Sequence, residues 1–86
     1  MRVSNNTARE QVNKRVNFDG SNTYGRNENK KYVVYSYGTH FPIYVYKRGK
    51  WYGNSQKYSV STSKHQSQLR PLKVDYWRET EEMKHL

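Results

Sequence analysis

Large apolar side chains are densest along the chain in "YVVYSYGTHFPIYVYKRGKWYGN", residues 32–54. Two runs dense in β-branched and aromatic residues, 32–37 and 43–48, flank "GTHFP", and this pattern predicts a β-hairpin. Pairing Tyr37 with Ile43 would place Val33, Tyr35, Tyr37, Ile43 and Val45 on one face. Tyr32, Val34, Ser36, Tyr44 and Tyr46 would then share the other. A one-residue slip reshuffles these sets, but both faces are aromatic in every register. A chain this small is expected to build one core, so some rings should remain partly exposed.

Arg48-Gly49-Lys50 reads as a tight turn, Trp51-Tyr52 as the start of another strand, and Gly53-Asn54 as a further turn. "KYSVST", residues 57–62, alternates with period two and predicts a fourth or fifth strand. Thr62 or Ser63 is then placed to cap a short helical turn that Pro71 stops. Residues 75–86 predict a terminal helix, with Tyr76, Trp77, Thr80 and Met83 three or four apart. In the N-terminal third, "VNKRVNF" is read as an edge strand in preference to a short helix capped by Thr7. "DGSN" is a turn signal and "TYGRNENK" reads as a loop. The fold class expected is α+β: a small twisted antiparallel sheet of four or five strands, or a partial barrel, with one C-terminal helix. Residues 1–10 would be a flexible segment, 11–74 a basic aromatic-rich β domain and 75–86 an acidic helix.

Composition changes this picture in one respect. Valine, leucine, isoleucine and phenylalanine supply only 14 of 86 residues, and the net charge is +9, a balance that ordinarily signals disorder. Nine tyrosines and two tryptophans point the other way, to a folded centre, because each large ring buries roughly 150–250 Å². Without cysteine, neither a disulfide framework nor a Cys-ligated zinc is expected. "MRVSNNTARE" lacks the apolar stretch of a signal peptide, and no membrane span is foreseen. The expectation is a soluble, cytoplasmic protein without a membrane partner.

Charge is distributed unevenly. No Asp or Glu occurs between Glu28 and Asp75, whereas Lys30, Lys31, Lys47, Arg48, Lys50, Lys57, Lys64, Arg70 and Lys73 all do. Such a single-sign field attracts polyanions. Cations for phosphates and flat rings for bases are what single-stranded nucleic acid requires. The expected stacking residues are Tyr35, Tyr37, Tyr44, Tyr46, Trp51 and Tyr52. The expected phosphate contacts are Lys47, Arg48, Lys50, Lys57, Lys64 and Arg70. The acidic tail, with Asp75, Glu79, Glu81 and Glu82, is expected to fold back over this field when no ligand is present.

Two other classes compete. Tyrosine, tryptophan and arginine also serve as protein–protein hot spots, so an inhibitor that binds a host protein is the alternative. A metal-independent ribonuclease is the third, with His40 and His65 as acid and base and Lys64 beside them. The leading reading is not an enzyme. No cofactor and no metal are expected, since Mg²⁺ sites need clustered carboxylates that the centre lacks. The chain would act as a monomer, or as a homodimer through an exposed strand edge.

The words "VNFDGSN", "YSYGTHFPIYVY", "WYGN" and "KYSVSTSKHQSQLRP" together resemble a small domain of uncharacterised proteins encoded by tailed bacteriophages, over residues 11–71. The resemblance implies a phage gene product acting in the cytoplasm of an infected bacterium and no particular chemistry. The acidic segment after Pro71 lies outside it.

Overall fold

The computed structural model describes residues 2–38, 41–56 and 59–86; Thr39, His40, Lys57 and Tyr58 lie outside the described residues. The chain is α+β, as expected, and its centre is a meander in which each strand pairs with the next. The strands are β1 (Phe18–Asp19), β2 (Thr23–Glu28), β3 (Lys31–Ser36), β4 (Pro42–Lys47), β5 (Lys50–Asn54) and β6 (Tyr76–Arg78). The sheet is six-stranded, where four or five strands were expected, and it does not close into a barrel. It is mixed, because β6 runs parallel to β5. The helices are α1 (Asn5–Lys14), α2 (Val60–Gln68) and α3 (Thr80–Lys84).

Two of the turns set the register. Asn29-Lys30 joins β2 to β3 and Arg48-Gly49 joins β4 to β5, each with positive φ at both residues. This is the two-residue hairpin geometry whose twist matches the flanking strands. Between β3 and β4 the observed pairs are Val33↔Val45 and Val34↔Tyr44, followed by Tyr35↔Pro42. The expected Tyr37–Ile43 pairing is therefore displaced, and the extra residue, Ile43, forms a bulge that turns its side chain into the core beside Val34 and Tyr44. Apart from Ile43 and Tyr37, the two predicted face sets hold. Tyr37 lies beyond β3 with φ of 57°.

There is a core on each side of the sheet, not one. On the first face Ala8 and Val12 of α1 and Leu69 after α2 pack on Phe18, Tyr32, Val34, Tyr44 and Trp51. On the second, Met83 of α3 packs on Val33, Tyr35 and Val45, flanked by Tyr24, Tyr52 and Leu86. This is why strand β3 is buried along almost its whole length.

Several expectations are corrected by these contacts. The N-terminal segment is a helix and not an edge strand. Ala8 and Val12 stand four apart and both are fully buried, Lys14 pairs with Glu10 at 3.0 Å, and Arg15 ends the helix in the left-handed conformation. Residues 60–62 are helical and not a strand, because the Ser59 side chain accepts from the Thr62 N–H and starts α2 one residue later; Val60, meant for the sheet, is 90% exposed. The terminal helix begins at Thr80, not Asp75, since Tyr76 and Trp77 add a strand. The Trp51 N–H donates to the Asp75 carboxylate at 2.8 Å, and the Trp51 carbonyl accepts from the Asp75 N–H at 2.9 Å. Gly53 is what admits β6: a Cβ there would lie 2.6 Å from the Trp77 ring. The "TYGRNENK" loop is strand β2, held by its pairing with β3. Among the described residues, no helix is long and apolar enough to cross a membrane.

Gly25, opposite both Phe18 and Val34, has no room for a side chain, since a Cβ would collide with the Phe18 ring and the Tyr32 hydroxyl, which itself donates to the Val16 carbonyl at 2.8 Å. Gly25→Ala is expected to destabilise the domain by about 1–3 kcal/mol in urea unfolding. A midpoint unchanged from the native chain would show that this packing is looser than described.

Candidate nucleic-acid interface

Residues directly opposite across strands share a face and stand ~4.8 Å apart. The register Glu28↔Lys31↔Lys47↔Lys50 therefore makes one row across β2 to β5, on the face that carries α3. The next row is Arg26↔Val33↔Val45↔Tyr52↔Tyr76. Three lysines facing one another repel, and Glu28 at the end of the row is already engaged by the Tyr35 hydroxyl at 2.9 Å. At the β6 end, Tyr52 and Tyr76 stack with centroids 5.3 Å apart, and the Arg78 guanidinium lies 5.2 Å from Tyr76 and 5.9 Å from Tyr52. Tyr76 is exposed and Tyr52 half-buried.

At the turn-bearing end, toward the face that carries α1, lies a groove of about 490 Å³ whose cations are Lys14, Arg15, Lys30, Lys31 and Arg48, with Tyr32 and Tyr46 in its wall. Arg15 sits 4.4 Å from the Tyr46 ring centroid. Arg15, Asn29, Lys30 and Arg48 all have positive φ. A left-handed conformation costs a non-glycine residue of order 1–3 kcal/mol. Three of these four strained positions hold cations where glycine or asparagine would sit more easily, so the positive rim is maintained against a conformational cost.

The sequence-predicted residues divide clearly. Lys47, Lys50 and Tyr52 come together on the α3 face at this end with Arg48 in the adjoining turn, whereas Tyr46 lies on the opposite face against Arg15 and Trp51. Tyr44 is 1% exposed and donates its hydroxyl to the Gln66 carbonyl. Trp51, 8% exposed, meets Tyr32 edge to face with ring centroids 6.2 Å apart. Tyr35 lies beneath Met83, also 8% exposed. Burial pushes the hydroxyls of Tyr35 and Tyr44 up to about 12. These three rings are core, and in this arrangement none presents a face to a base. Tyr37 and Lys64 lie at the opposite end, beside α2. Arg70 is on the side of α1 and α2, over Trp77 at 5.4 Å. Lys57 lies outside the described residues.

Missed in the sequence were Lys14, Arg15, Lys30, Lys31, Tyr76 and Arg78. Asn29-Lys30 between two polar–apolar runs carried a hairpin signal, masked by the polarity of β2. Tyr76 and Arg78 alternate about Trp77, which is a strand pattern too short to outweigh the acidic helix that follows.

The histidine expectation takes a different form. His40 lies outside the described residues. His65 is buried in α2, its Nδ1 2.8 Å from the Ser36 hydroxyl, which is 3.3 Å from the Thr62 hydroxyl. Ser36 is fully buried, so this contact ties α2 to β3 and offers no reachable nucleophile. Burial, and secondarily the Lys64 charge, holds the His65 pKa below its usual value. Among the described residues, no three His, Cys, Asp or Glu side chains cluster as metal ligands would.

A histidine whose folded pKa is depressed stabilises the fold while neutral. That contribution is complete above its ordinary value of 6.5 and is lost as pH falls through the lowered one. Urea unfolding between about pH 7 and pH 5 should show a loss of stability with a slope of at most ~1.4 kcal/mol per pH unit, and His65→Gln should flatten it. An unaltered slope in the variant would assign the effect elsewhere.

In comparison with known proteins the chain matches no family model, no curated protein and no solved structure.

Proposed function

We propose that the protein binds single-stranded nucleic acid along the turn-bearing end of its sheet. The observation that carries this reading is the lysine row, Lys31, Lys47 and Lys50, lying directly beside the row that ends in the Tyr52–Tyr76 stack. A phosphate backbone follows the lysines and the strained basic rim, while unpaired bases stack on the exposed Tyr76 and the edge of Tyr52, with Arg78 closing over them. A duplex has its bases already stacked and gains only the phosphate term. The net charge of +9 adds electrostatic attraction at long range. The resemblance to tailed-phage domains supports placing the protein in the cytoplasm of an infected bacterium, and the role read from the lysine row and the tyrosine stack is that of a binding protein, not an enzyme.

The test is fluorescence anisotropy of labelled single-stranded RNA, single-stranded DNA and duplex DNA over a range of salt. Combining Lys31→Ala, Lys47→Ala and Lys50→Ala should weaken binding of single strands and lower the log–log salt slope by about 2, from roughly 0.7 per phosphate contact. Tyr76→Ala should weaken binding by about 1–3 kcal/mol and leave that slope as it was. No binding of any oligonucleotide at low salt would overturn the reading and favour a host-protein partner, sought by pull-down from bacterial lysate.

Lys30→Gly separates stability from function. Relief of its left-handed backbone should stabilise the domain by up to ~1 kcal/mol, while loss of the charge weakens nucleic-acid binding. A variant that is both less stable and fully competent would contradict the role given to the rim.

A further inference from the structure

The face that carries the lysine row is covered at its centre by very little protein. Helix α3 has five residues, fewer than a free helix needs to persist in water, so its position depends on tertiary contacts. One fully buried side chain, Met83, seats it on Val33, Tyr35 and Val45. Leu86 is half-buried beside it, and its carbonyl accepts from Lys31 Nζ at 3.0 Å. The start of the helix is held more firmly. Thr80 N–H donates to Gln56 Oε1 at 3.0 Å, and Asn54 Nδ2 donates to the Thr80 hydroxyl at 3.0 Å.

The fit of this cover is incomplete. A recess of about 220 Å³ remains next to Met83, with Lys31, Val33, Tyr35, Pro42 and Lys84 in its walls. Methionine is the side chain best suited to fill such a space loosely. Beneath it the register is continuous: Tyr24 stands opposite Tyr35, and Val33 and Val45 lead across to Tyr52 and Tyr76. With α3 lifted, the rings of β2 and β3 would join those of β5 and β6 in one open surface. Lys31 belongs both to the lysine row and to the contact that retains the chain's last residue. Glu79, Glu81 and Glu82 give the cover the charge sign of a phosphate chain.

We infer that α3 is a displaceable cover on the nucleic-acid interface. A bound single strand recruits Lys31 to a phosphate, releases Leu86, and lays a base over Val33, Val45 and Tyr35 in the place of Met83, with Thr80 as the pivot. Unbound protein is therefore mostly in a form that exposes only the outer rings. Tyr35, a core residue when covered, becomes a stacking residue when open. This inference rests on the nucleic-acid reading above.

The test follows the cover directly. Met1 and Met83 are the only methionines, so a chain labelled with ¹³C-methyl methionine has one internal reporter. On titration with an oligouridylate about twelve nucleotides long, the Met83 methyl signal should leave its buried position and approach that of a solvent-exposed methionine. Met83→Ala in the full chain should raise the fraction of open protein and tighten binding at least about threefold, provided its melting remains cooperative. If the oligonucleotide binds and the Met83 signal stays in place, or if the folded variant binds no tighter, the cover is structural and the inference is wrong while the interface stands. If Met83→Ala does not fold, the methyl signal alone decides. If no oligonucleotide binds either chain, the interface and its cover fall together.

Discussion

A one-residue slip of β4 along β3 would set Tyr44 or Tyr46 opposite Val33, carrying Val45 to the side of α1 and α2 and bringing Tyr44 out beneath α3. Both cores and the lysine row depend on this register. Within the β3–β4 pair it is set around the bulge at Ile43, while the two-residue turns before and after fix β3 to β2 and β4 to β5. The bulge absorbs the extra residue that the longer 37–41 connection brings in. The turns clamp the other ends so that Lys31, Lys47 and Lys50 face one another. The two devices have different consequences. One lets an aliphatic residue join the larger core, and the other places like charges side by side, which no fold needs for stability.

That distinction bears on what the sequence revealed. The hairpin and its face sets were readable because β-branched and aromatic residues run without interruption from Tyr32 to Tyr35 and again from Ile43 to Tyr46. What escaped was decided at a distance. Trp77 joins the sheet because Gly53, two dozen residues earlier, leaves space for its ring. The helix at Val60–Gln68 wins over a period-two pattern because Ser59 caps it and because Thr62, His65, Gln66 and Leu69 find buried partners on β3, β4 and β5. Asn5, whose carboxamide oxygen accepts from Ser21 N–H at 2.9 Å and from the Thr23 hydroxyl at 2.8 Å, docks α1 across the β1–β2 turn. Local propensity contains none of this information.

The candidate site was legible as a composition and not as a place. Lysines and tyrosines clearly interleave in residues 44–52, yet only the register shows which of them cooperate. Lys31 and Lys50 are nineteen positions apart in the chain and lie in one row through Lys47. Conversely, Tyr44 and Trp51 sit in the middle of the basic stretch and are core. Turns were readable around Asn29-Lys30 and Arg48-Gly49, but the left-handed backbone at Arg15, Lys30 and Arg48 themselves was not, since glycine would have been the readable choice.

The abundance of tyrosine then has a physical rationale that neither core nor interface supplies alone. A phenylalanine in the place of Tyr35 would pack as well beneath Met83 but would leave Glu28 without the hydroxyl that donates to both of its carboxylate oxygens, at 2.9 and 3.1 Å. That contact occupies the acid at the end of the lysine row, so the row presents three cations with their one neighbouring carboxylate turned toward the core. The ring meanwhile retains an apolar face that is covered by a flexible methionine and not by a rigid aliphatic. Tyrosine is the residue that can satisfy a buried hydrogen bond at one end and exchange its cover at the other. A domain with so few aliphatic residues gains a core by this means, and keeps that core close to the surface on the side where its charge is concentrated.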